Sequence, residues 1–281
     1  MQDLPSRTAK HVALLRAAHQ MLEGGAIFFD PFAITLSGES ADAIERQARE
    51  RPEQRSLRLF VAVRSRFAED SVARAVDRGL RQVVVLGAGL DTFGLRNPHA
   101  SRGLRVFEVD HPATQQWKRE CLDRAKLHIP DGLYFAGVDF ERQAFLDVLA
   151  NAGFWPDQAA FFIWLGVVPY LSRDAVFATL SSIGSLADAE VVFDYGVSAN
   201  LYPAERRAGY EAMIARAAAF GEPWLSFFDP AEWPSDLAQL GFSEIENLGP
   251  REVAIRYFGE QDPSTNRLGG HIIRARSIAG H

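Results

Sequence analysis

The amino-acid sequence predicts an α/β protein with a doubly wound, mostly parallel sheet of seven strands. Short apolar runs without polar alternation, such as residues 82–86, are typical of strands buried on both faces of a parallel sheet. From residue 81 onward these runs alternate with stretches of helical periodicity. The chain has 281 residues, of which 47% are hydrophobic, so it can bury a substantial core. We therefore expect a single domain over residues 1–281.

Residues 1–80 precede the first strand and are predicted to form a layer of helices. A first helix carries an apolar stripe and would end at Gly24 and Gly25. Asp30 and Pro31 then break the chain and open a second, short helix. Ligands of open α/β sheets bind outside the carboxyl ends of the strands. We therefore expect the helical layer to dock there and to cover the ligand.

A further helix is predicted over residues 54–70, with Arg64 in the middle of its apolar face. An arginine in such a position is costly unless it is paired. One interpretation is structural: an internal salt bridge, for example to Glu69 or Asp70, or a side chain that extends its charged end to solvent. The other is a guanidinium that holds a ligand carboxylate through two parallel hydrogen bonds. We favour the second interpretation.

The strand predicted over residues 82–86 runs directly into Gly87, Ala88 and Gly89. Two glycines at this spacing let the backbone turn sharply and approach a ligand closely. A second strand, predicted over residues 104–109, is followed by Asp110, which lies 21 residues after Gly89. A βαβ unit places the carboxylate that binds a ribose at about this distance. The pattern predicts a nucleoside site.

The residues after the glycine turn discriminate between nucleosides. A dinucleotide site requires a third glycine, but Thr92 occupies that position and Asp91 precedes it. A carboxylate there would repel a pyrophosphate and suits a cationic ligand such as S-adenosylmethionine. A tight turn that binds no ligand is the remaining alternative.

The later strands carry further candidate residues at their carboxyl ends. A third strand, predicted over residues 134–138, precedes Asp139 and Phe140, which could bind the amino group and the face of an adenine. A helix N-cap and a core ring are the structural alternatives for these two residues. Tyr170, Tyr195 and Trp224 are candidate contacts to the substrate, and each also has a structural alternative. Further strands are predicted over residues 159–168, 190–193, 241–248 and 272–275, the last two as an antiparallel pair.

Composition excludes several classes of function. The net charge of −6 argues against nucleic acid as the main partner, because phosphate binding needs a basic surface. The histidines and the single cysteine show no metal-ligand spacing, so we expect no metal site. The longest apolar stretch, residues 159–171, is too short for a membrane span. One cysteine and the lack of a signal-peptide pattern lead us to expect a soluble, cytoplasmic protein.

Longer motifs resemble a known family, the leucine carboxyl methyltransferases, and in particular its bacterial branch of S-adenosylmethionine-dependent O-methyltransferases. The resemblance covers nearly the whole chain. Its motifs occur in the order SRTAKHVALLRAAH, FFDPFA, VAVRSRFAED, VVVLGAGLDT, FEVDHPATQQWKRE, VDFE, FIWLGVVPYLS and VVFDYG.

The resemblance implies a class I methyltransferase-like fold, with a Rossmann-like core and carboxyl-terminal substrate-side elements over residues 81–281. It implies S-adenosylmethionine as the cofactor and S-adenosylhomocysteine as its product. It also implies a cofactor role for eight residues: Arg64 at the methionine carboxylate, Gly87, Ala88 and Gly89 along the methionyl part, Asp110 at the ribose, Asp139 and Phe140 at the adenine, and Leu165 near the methionine amino group.

Two positions depart from the family pattern. Leu165 stands where eukaryotic members have a glutamate, and Phe93 replaces an arginine that is common after the Asp-Thr pair.

The function predicted from these observations is methyl transfer to a carboxylate or hydroxyl of a small molecule. A carboxylate acceptor needs no base, whereas a phenol or an alcohol usually does. The sequence identifies no catalytic residue and no oligomeric state. The alternatives are a non-catalytic protein that binds S-adenosylmethionine or its product, and an NAD(P)-dependent oxidoreductase, which Asp91 and Thr92 disfavour.

Overall fold

A computed structural model describes residues 7–139, 143–219, 221–259 and 270–277. Its strands are β1 Gln82–Leu86, β2 Arg105–Asp110, β3 Leu133–Gly137, β4 Ala160–Trp164, β5 Ala189–Gly196, β6 Glu244–Leu248 and β7 Gly270–Arg276. They form a seven-stranded sheet in the order β3-β2-β1-β4-β5-β7-β6. The predicted α/β fold with a mostly parallel sheet is therefore confirmed.

The α-helices of the described residues are α1 Arg7–Leu22, α2 Ala33–Ser37, α3 Ala41–Glu50, α4 Arg55–Asp77, α5 Phe93–Arg96, α6 Pro112–Arg124, α7 Phe145–Asn151, α8 Arg173–Gly184, α9 Ala204–Ala219, α10 Trp233–Gln239 and α11 Pro250–Phe258. The chain divides into two compact units, Met1–Ile163 and Trp164–His281. The single domain expected over residues 1–281 stays a prediction, and each unit is described by itself.

The strands of the first unit are parallel. β1 lies between β2 and β4, with Val84 opposite Phe107 and Phe162. Every residue of β1 is buried, which explains its run of β-branched side chains. The buried amide of Gln82 is satisfied by the Trp155 backbone, with bonds of 2.9 Å to its carbonyl and 2.8 Å from its N–H. β1 is thus a fully buried central strand whose carboxyl end opens into the glycine turn.

The predicted helical layer is present in the first unit and lies against the glycine turn. After α1, Gly24 and Gly25 adopt positive φ angles of 60° and 66°, and the Gly25 N–H bonds to the His19 carbonyl. α1 packs on α2, α3 and α4. At its amino-terminal end, Ala9 is so close to the turn that a Cβ added at Gly89 would lie 2.8 Å from the Ala9 Cβ. The layer therefore covers the turn, as the sequence predicted.

In the second unit, β7 lies between β5 and β6 and is antiparallel to both. Tyr195 of β5 lies opposite His271 of β7. The fourth strand ends at Trp164, well before residue 168, because Gly166 turns the chain with a φ of 72°. The Gly166 N–H binds the Asp194 carboxylate at 2.6 Å, which fixes this turn. β5 is longer than predicted, because its pairing with β7 extends through Gly196.

Candidate functional site

The glycine turn follows β1 and lies against the carboxyl end of β2. Gly87 and Gly89 have φ angles of 64° and 48°, a region that L-residues with a side chain rarely adopt. The N–H groups of Gly87 and Ala88 bond to the Val109 carbonyl at 2.8 and 3.1 Å. These bonds hold the turn against the end of β2, so the predicted cofactor residues Gly87, Ala88 and Gly89 lie together.

Asp110 lies directly beside this turn. Its Oδ2 accepts a hydrogen bond of 2.6 Å from the Gly89 N–H, and its Oδ1 accepts one of 2.7 Å from the His111 N–H. Burial raises the pKa of the Asp110 carboxyl, and the two backbone donors oppose that rise. Each carboxylate oxygen has two lone pairs, so both can still accept a ribose hydroxyl. The predicted ribose contact therefore has suitable geometry, and its role stays a prediction.

Asp91 and Thr92 have local structural roles that the spacing did not reveal. The Asp91 carboxylate accepts a bond of 2.7 Å from the Phe93 N–H, at the start of the four-residue helix α5. A dinucleotide fold would begin a long helix here and direct its amino terminus at the pyrophosphate. The short α5 and the adjacent carboxylate suit that ligand poorly.

A buried polar network, which the sequence patterns did not predict, links the helical layer to the residues after Gly89. Arg16 of α1 donates from Nη2 to the Leu90 carbonyl at 2.5 Å and from Nε to Asp30 at 3.1 Å. Asp30 also accepts a bond of 2.8 Å from the Thr92 hydroxyl. Thr92 in turn accepts a bond of 3.0 Å from Arg96 Nε. The FFDP motif was the available signal, but its partner could not be read from the sequence.

A second buried contact fixes the same segment from the other side. Lys118 of α6 is 1% exposed, donates to the Asp91 carbonyl at 2.6 Å and pairs with the buried Glu108 of β2. Burial raises the pKa of Glu108 to about 7, although the charge and hydrogen bond of Lys118 oppose the shift. Lys118 therefore ties α6 to the segment after the glycine turn.

Arg64 is buried in the middle of α4, as predicted. Its two proposed ion-pair partners are engaged by other arginines. Glu69 pairs with Arg96, and Asp70 pairs with Arg66 at 2.9 Å. The assignment of Arg64 to a ligand carboxylate stays a prediction.

The remaining cofactor candidates follow other strands. Asp139 follows β3 and is partly buried, with its N–H bonded to the Gln143 side chain at 3.1 Å. Phe140 lies outside the described residues. Leu165 follows β4 and is partly buried.

The three substrate candidates belong to the second unit and have different environments. Tyr195 is 1% exposed, its hydroxyl lies 3.0 Å from the Asn247 Nδ2, and burial raises its pKa. Tyr170 ends a short 3-10 turn after β4, and Trp224 lies in the loop after α9. Tyr195 thus has a structural partner, and the substrate role of all three stays a prediction.

Neither a metal cluster nor a membrane span occurs in the described part of the chain. Within it, no group of three or more histidine, cysteine, aspartate or glutamate side chains is arranged to hold a metal ion. Nor does any helix there combine the length and apolar character needed to cross a membrane.

Comparisons with known proteins agree with this geometry. The model of a family described as leucine carboxyl methyltransferase matches residues 9–184, more than half of the chain. A Bacillus subtilis relative named "Putative S-adenosyl-L-methionine-dependent methyltransferase YktD" is 36% identical over 201 residues, which are 70% of this chain and 66% of that protein. A Frankia alni relative with the same description is 32% identical over 188 residues, 65% of each chain. The matches therefore span slightly less than two thirds of these relatives.

Two solved structures share the fold. One is described as a putative methyltransferase from Thermobifida fusca, with a TM-score of 0.60 and 18% identity over 99% of this chain and 96% of that one. The other, a DUF574 family protein from Streptomyces avermitilis, has a TM-score of 0.60 and 16% identity over 94% and 96% of the two chains. At such identities they show the fold alone.

Proposed function

The chain belongs to the leucine carboxyl methyltransferase family, and from that premise we propose that it transfers a methyl group from S-adenosylmethionine to an oxygen of a small molecule. Membership confirms the predicted family, and the named relatives carry the description "Putative S-adenosyl-L-methionine-dependent methyltransferase". One observation carries the proposal: the Asp110 carboxylate, bonded to the Gly89 N–H, lies where two parallel strands end. A nucleoside bound there would place its ribose against the carboxylate and its remaining part along the glycine turn.

The residues around the turn fit a cationic cofactor. Asp91 follows the turn directly, and its carboxylate would repel a pyrophosphate but attract a sulfonium. Arg64 would hold the methionine carboxylate, and Asp139 and Phe140 the adenine. When bound, S-adenosylmethionine supplies an electrophilic methyl group. The S–CH₃ bond breaks with its electron pair on sulfur and the O–CH₃ bond forms, while a hydroxyl acceptor releases its proton and a carboxylate has none to release.

The chain contributes position and exclusion of water to this displacement. Holding two reactants in line can supply about 7–11 kcal/mol of the barrier reduction. The helical layer covers the turn, with Ala9 against Gly89, and so restricts access of water from that side. His111, the nearest histidine to Asp110 in sequence, is used as the N-cap of α6, where its Nδ1 accepts from the Ala113 N–H at 3.3 Å. Because this lone pair of His111 is already used, we favour an acceptor that does not need His111 as a base.

Two experiments test the proposal. Calorimetry should show binding of S-adenosylmethionine and S-adenosylhomocysteine but not of NAD; the reverse result would support an oxidoreductase. Labelled methyl transfer should then be measured over a panel of acids and phenols. A methyl ester releases methanol in mild base whereas a methyl ether does not. The fraction of transferred label that mild base releases as methanol therefore distinguishes carboxylate from hydroxyl acceptors. Binding without any transfer would support the non-catalytic alternative.

The acceptor is proposed to be a small molecule, since a net charge of −6 is unfavourable for nucleic acid. A cytoplasmic location is part of the same proposal. It is supported by the single cysteine, Cys121, which is buried and leaves the chain without an internal disulfide.

A further inference from the structure

Four aromatic side chains form a cluster beyond the carboxyl end of β5, within the second unit. We call it the aromatic box, and it consists of Tyr202, Tyr210, Trp224 and Phe227. Tyr202 and Tyr210 stack with ring centroids 4.3 Å apart, and Trp224 meets Tyr210 edge-on at 6.0 Å. The ring centroids of Phe227 and Trp224 are 6.1 Å apart. Each ring of the box therefore packs against at least one other.

The loop that carries Trp224 and Phe227 is anchored to the ends of two strands. The Leu225 N–H bonds to the Pro169 carbonyl at 2.6 Å, in the short turn after β4. The Phe228 N–H bonds to the carbonyl of Gly196, the last residue of β5, at 3.0 Å. Ligands of such sheets bind outside the carboxyl ends of their strands. The box thus lies where an acceptor is expected.

Gly196 is a glycine for reasons of space. Its φ is not among the positive values of the chain, so its conformation permits a side chain. A Cβ at this position would lie 3.2 Å from the Tyr210 hydroxyl and 3.4 Å from the Trp224 ring. A larger residue would therefore intrude into the box.

One polar atom of the box is buried without a hydrogen-bond partner among the described residues. It is Nε1 of Trp224. The Tyr210 hydroxyl, by contrast, interacts with Tyr202 and with the Val197 backbone. A buried donor without a partner is unfavourable, and native structures seldom keep one without a reason. An oxygen of a bound molecule would satisfy the Trp224 donor.

Two exposed apolar residues adjoin the box in sequence. Leu201 and Leu225 are 48% and 59% exposed, and they are neighbours of Tyr202 and Trp224 along the chain. Aromatic rings, exposed apolar neighbours and an unsatisfied buried donor are features of a small-molecule site for a largely apolar ligand with a few oxygens.

We propose that the aromatic box binds the methyl acceptor, and that this acceptor is a planar aromatic molecule with a hydroxyl or carboxylate oxygen that accepts a hydrogen bond from Trp224. The inference rests on the proposed function and adds the substrate class. Flat rings are favoured over flexible chains because they stack on Tyr and Trp faces with little loss of conformational freedom.

The test measures binding to the full chain saturated with S-adenosylhomocysteine, with 1-naphthol, 2-naphthoate and decanoate as probes. At least one naphthyl probe should bind about tenfold or more tightly than decanoate. Trp224→Phe keeps a ring but removes the N–H, and it should weaken naphthyl binding about tenfold, as expected for one lost hydrogen bond. Trp155→Phe is the matched control, since that indole lies in the first unit against Arg105 and should leave binding unchanged. S-adenosylhomocysteine affinity and melting temperature should be equal in all three proteins.

Equal naphthyl affinity in wild type and Trp224→Phe would overturn the proposal, and so would decanoate binding as tight as that of the naphthyl probes. A loss of naphthyl affinity in Trp155→Phe as large as in Trp224→Phe would also overturn it. If S-adenosylhomocysteine itself does not bind, the proposed function fails. The naphthyl probes are then measured on the chain alone, where the same Trp224 and Trp155 comparison decides whether the box binds aromatic molecules.

Discussion

Removal of the Asp30 carboxylate should destabilise the protein strongly, because that group neutralises a buried arginine and orders the residues after the glycine turn. Asp30 is 1% exposed. Its Oδ2 accepts from Arg16 Nε at 3.1 Å and from the Thr92 hydroxyl at 2.8 Å, and its Oδ1 accepts from the Phe32 N–H at 3.1 Å. Asp30→Ala leaves the Arg16 guanidinium buried, with the Leu90 carbonyl as the remaining partner of that side chain among the described residues.

The magnitude follows from that uncompensated charge. Breaking a buried ion pair by removing one partner costs about 3–5 kcal/mol. The matched control is Asp70→Ala, which breaks the solvated pair between Arg66 and Asp70, whose side chains are 52% and 39% exposed. Such a pair contributes about 0.2–1 kcal/mol. The two variants should therefore differ by at least about 2 kcal/mol in the free energy of unfolding.

Urea unfolding without ligand at pH 7 measures the difference. Thr92→Val should cost about 0.5–1.5 kcal/mol in the wild-type background and less in the Asp30→Ala background, because its partner is already absent. Thr92→Ser keeps the hydroxyl and should cost less than Thr92→Val. If Asp30→Ala loses no more stability than Asp70→Ala, the network does not stabilise the fold and the reasoning is wrong.

Four further predictions concern the cofactor site and pH. Asp110→Ala should weaken S-adenosylhomocysteine and adenosine binding about tenfold to a hundredfold by calorimetry, since a charge-assisted bond to the ribose is lost; unchanged affinity in the folded variant would exclude the ribose role. Arg64→Met should weaken S-adenosylhomocysteine but not adenosine, which has no carboxylate, and equal losses would contradict the clamp. Burial alone would raise the pKa of Glu23, but hydrogen bonds from His19 and Arg58 lower it from 4.5 to about 2. The ionised Glu23 therefore stabilises the fold above pH 4.5, and this contribution is lost as the pH falls towards 2. In urea titrations, Glu23→Gln should lose less stability than wild type between pH 5 and pH 3. Burial lowers the pKa of His271 from 6.5 to about 4, against the opposing charge of Glu252, so folding favours the neutral ring. The free energy of unfolding should therefore fall as the pH drops from 6.5 to 4. A His271→Gln variant whose free energy of unfolding falls just as steeply over this pH range would refute the assignment.

Local sequence patterns determine most of the fold. The run at residues 82–86 is β1 as predicted, and the terminal strands pair in the antiparallel sense expected. The glycine turn and Asp110 also lie together as expected. These features follow from hydrophobic periodicity and from spacing within one βαβ unit, where chain connectivity restricts the geometry.

Contacts between distant segments could not be derived in this way. Thr92 binds Asp30 across 62 residues of sequence, and Arg16 binds Leu90 across 74. Each of these side chains read by itself has many possible partners, and only the packing of α1 on the turn selects one. The same reason applies to Tyr195. Its place near a strand end made it a substrate candidate, but its hydroxyl is bonded to Asn247 of β6.

The sequence by itself determined the family, the α/β class, the glycine turn and the carboxylate beside it, because short-range spacing and burial periodicity encode them. Only the tertiary structure decided that Arg16, Asp30 and Thr92 form one buried network, and that Trp224 and Tyr210 pack beside Gly196 with the Trp224 Nε1 unsatisfied. Hydrogen bonding and desolvation depend on which groups share a water-free region, and that is settled when the segments pack together.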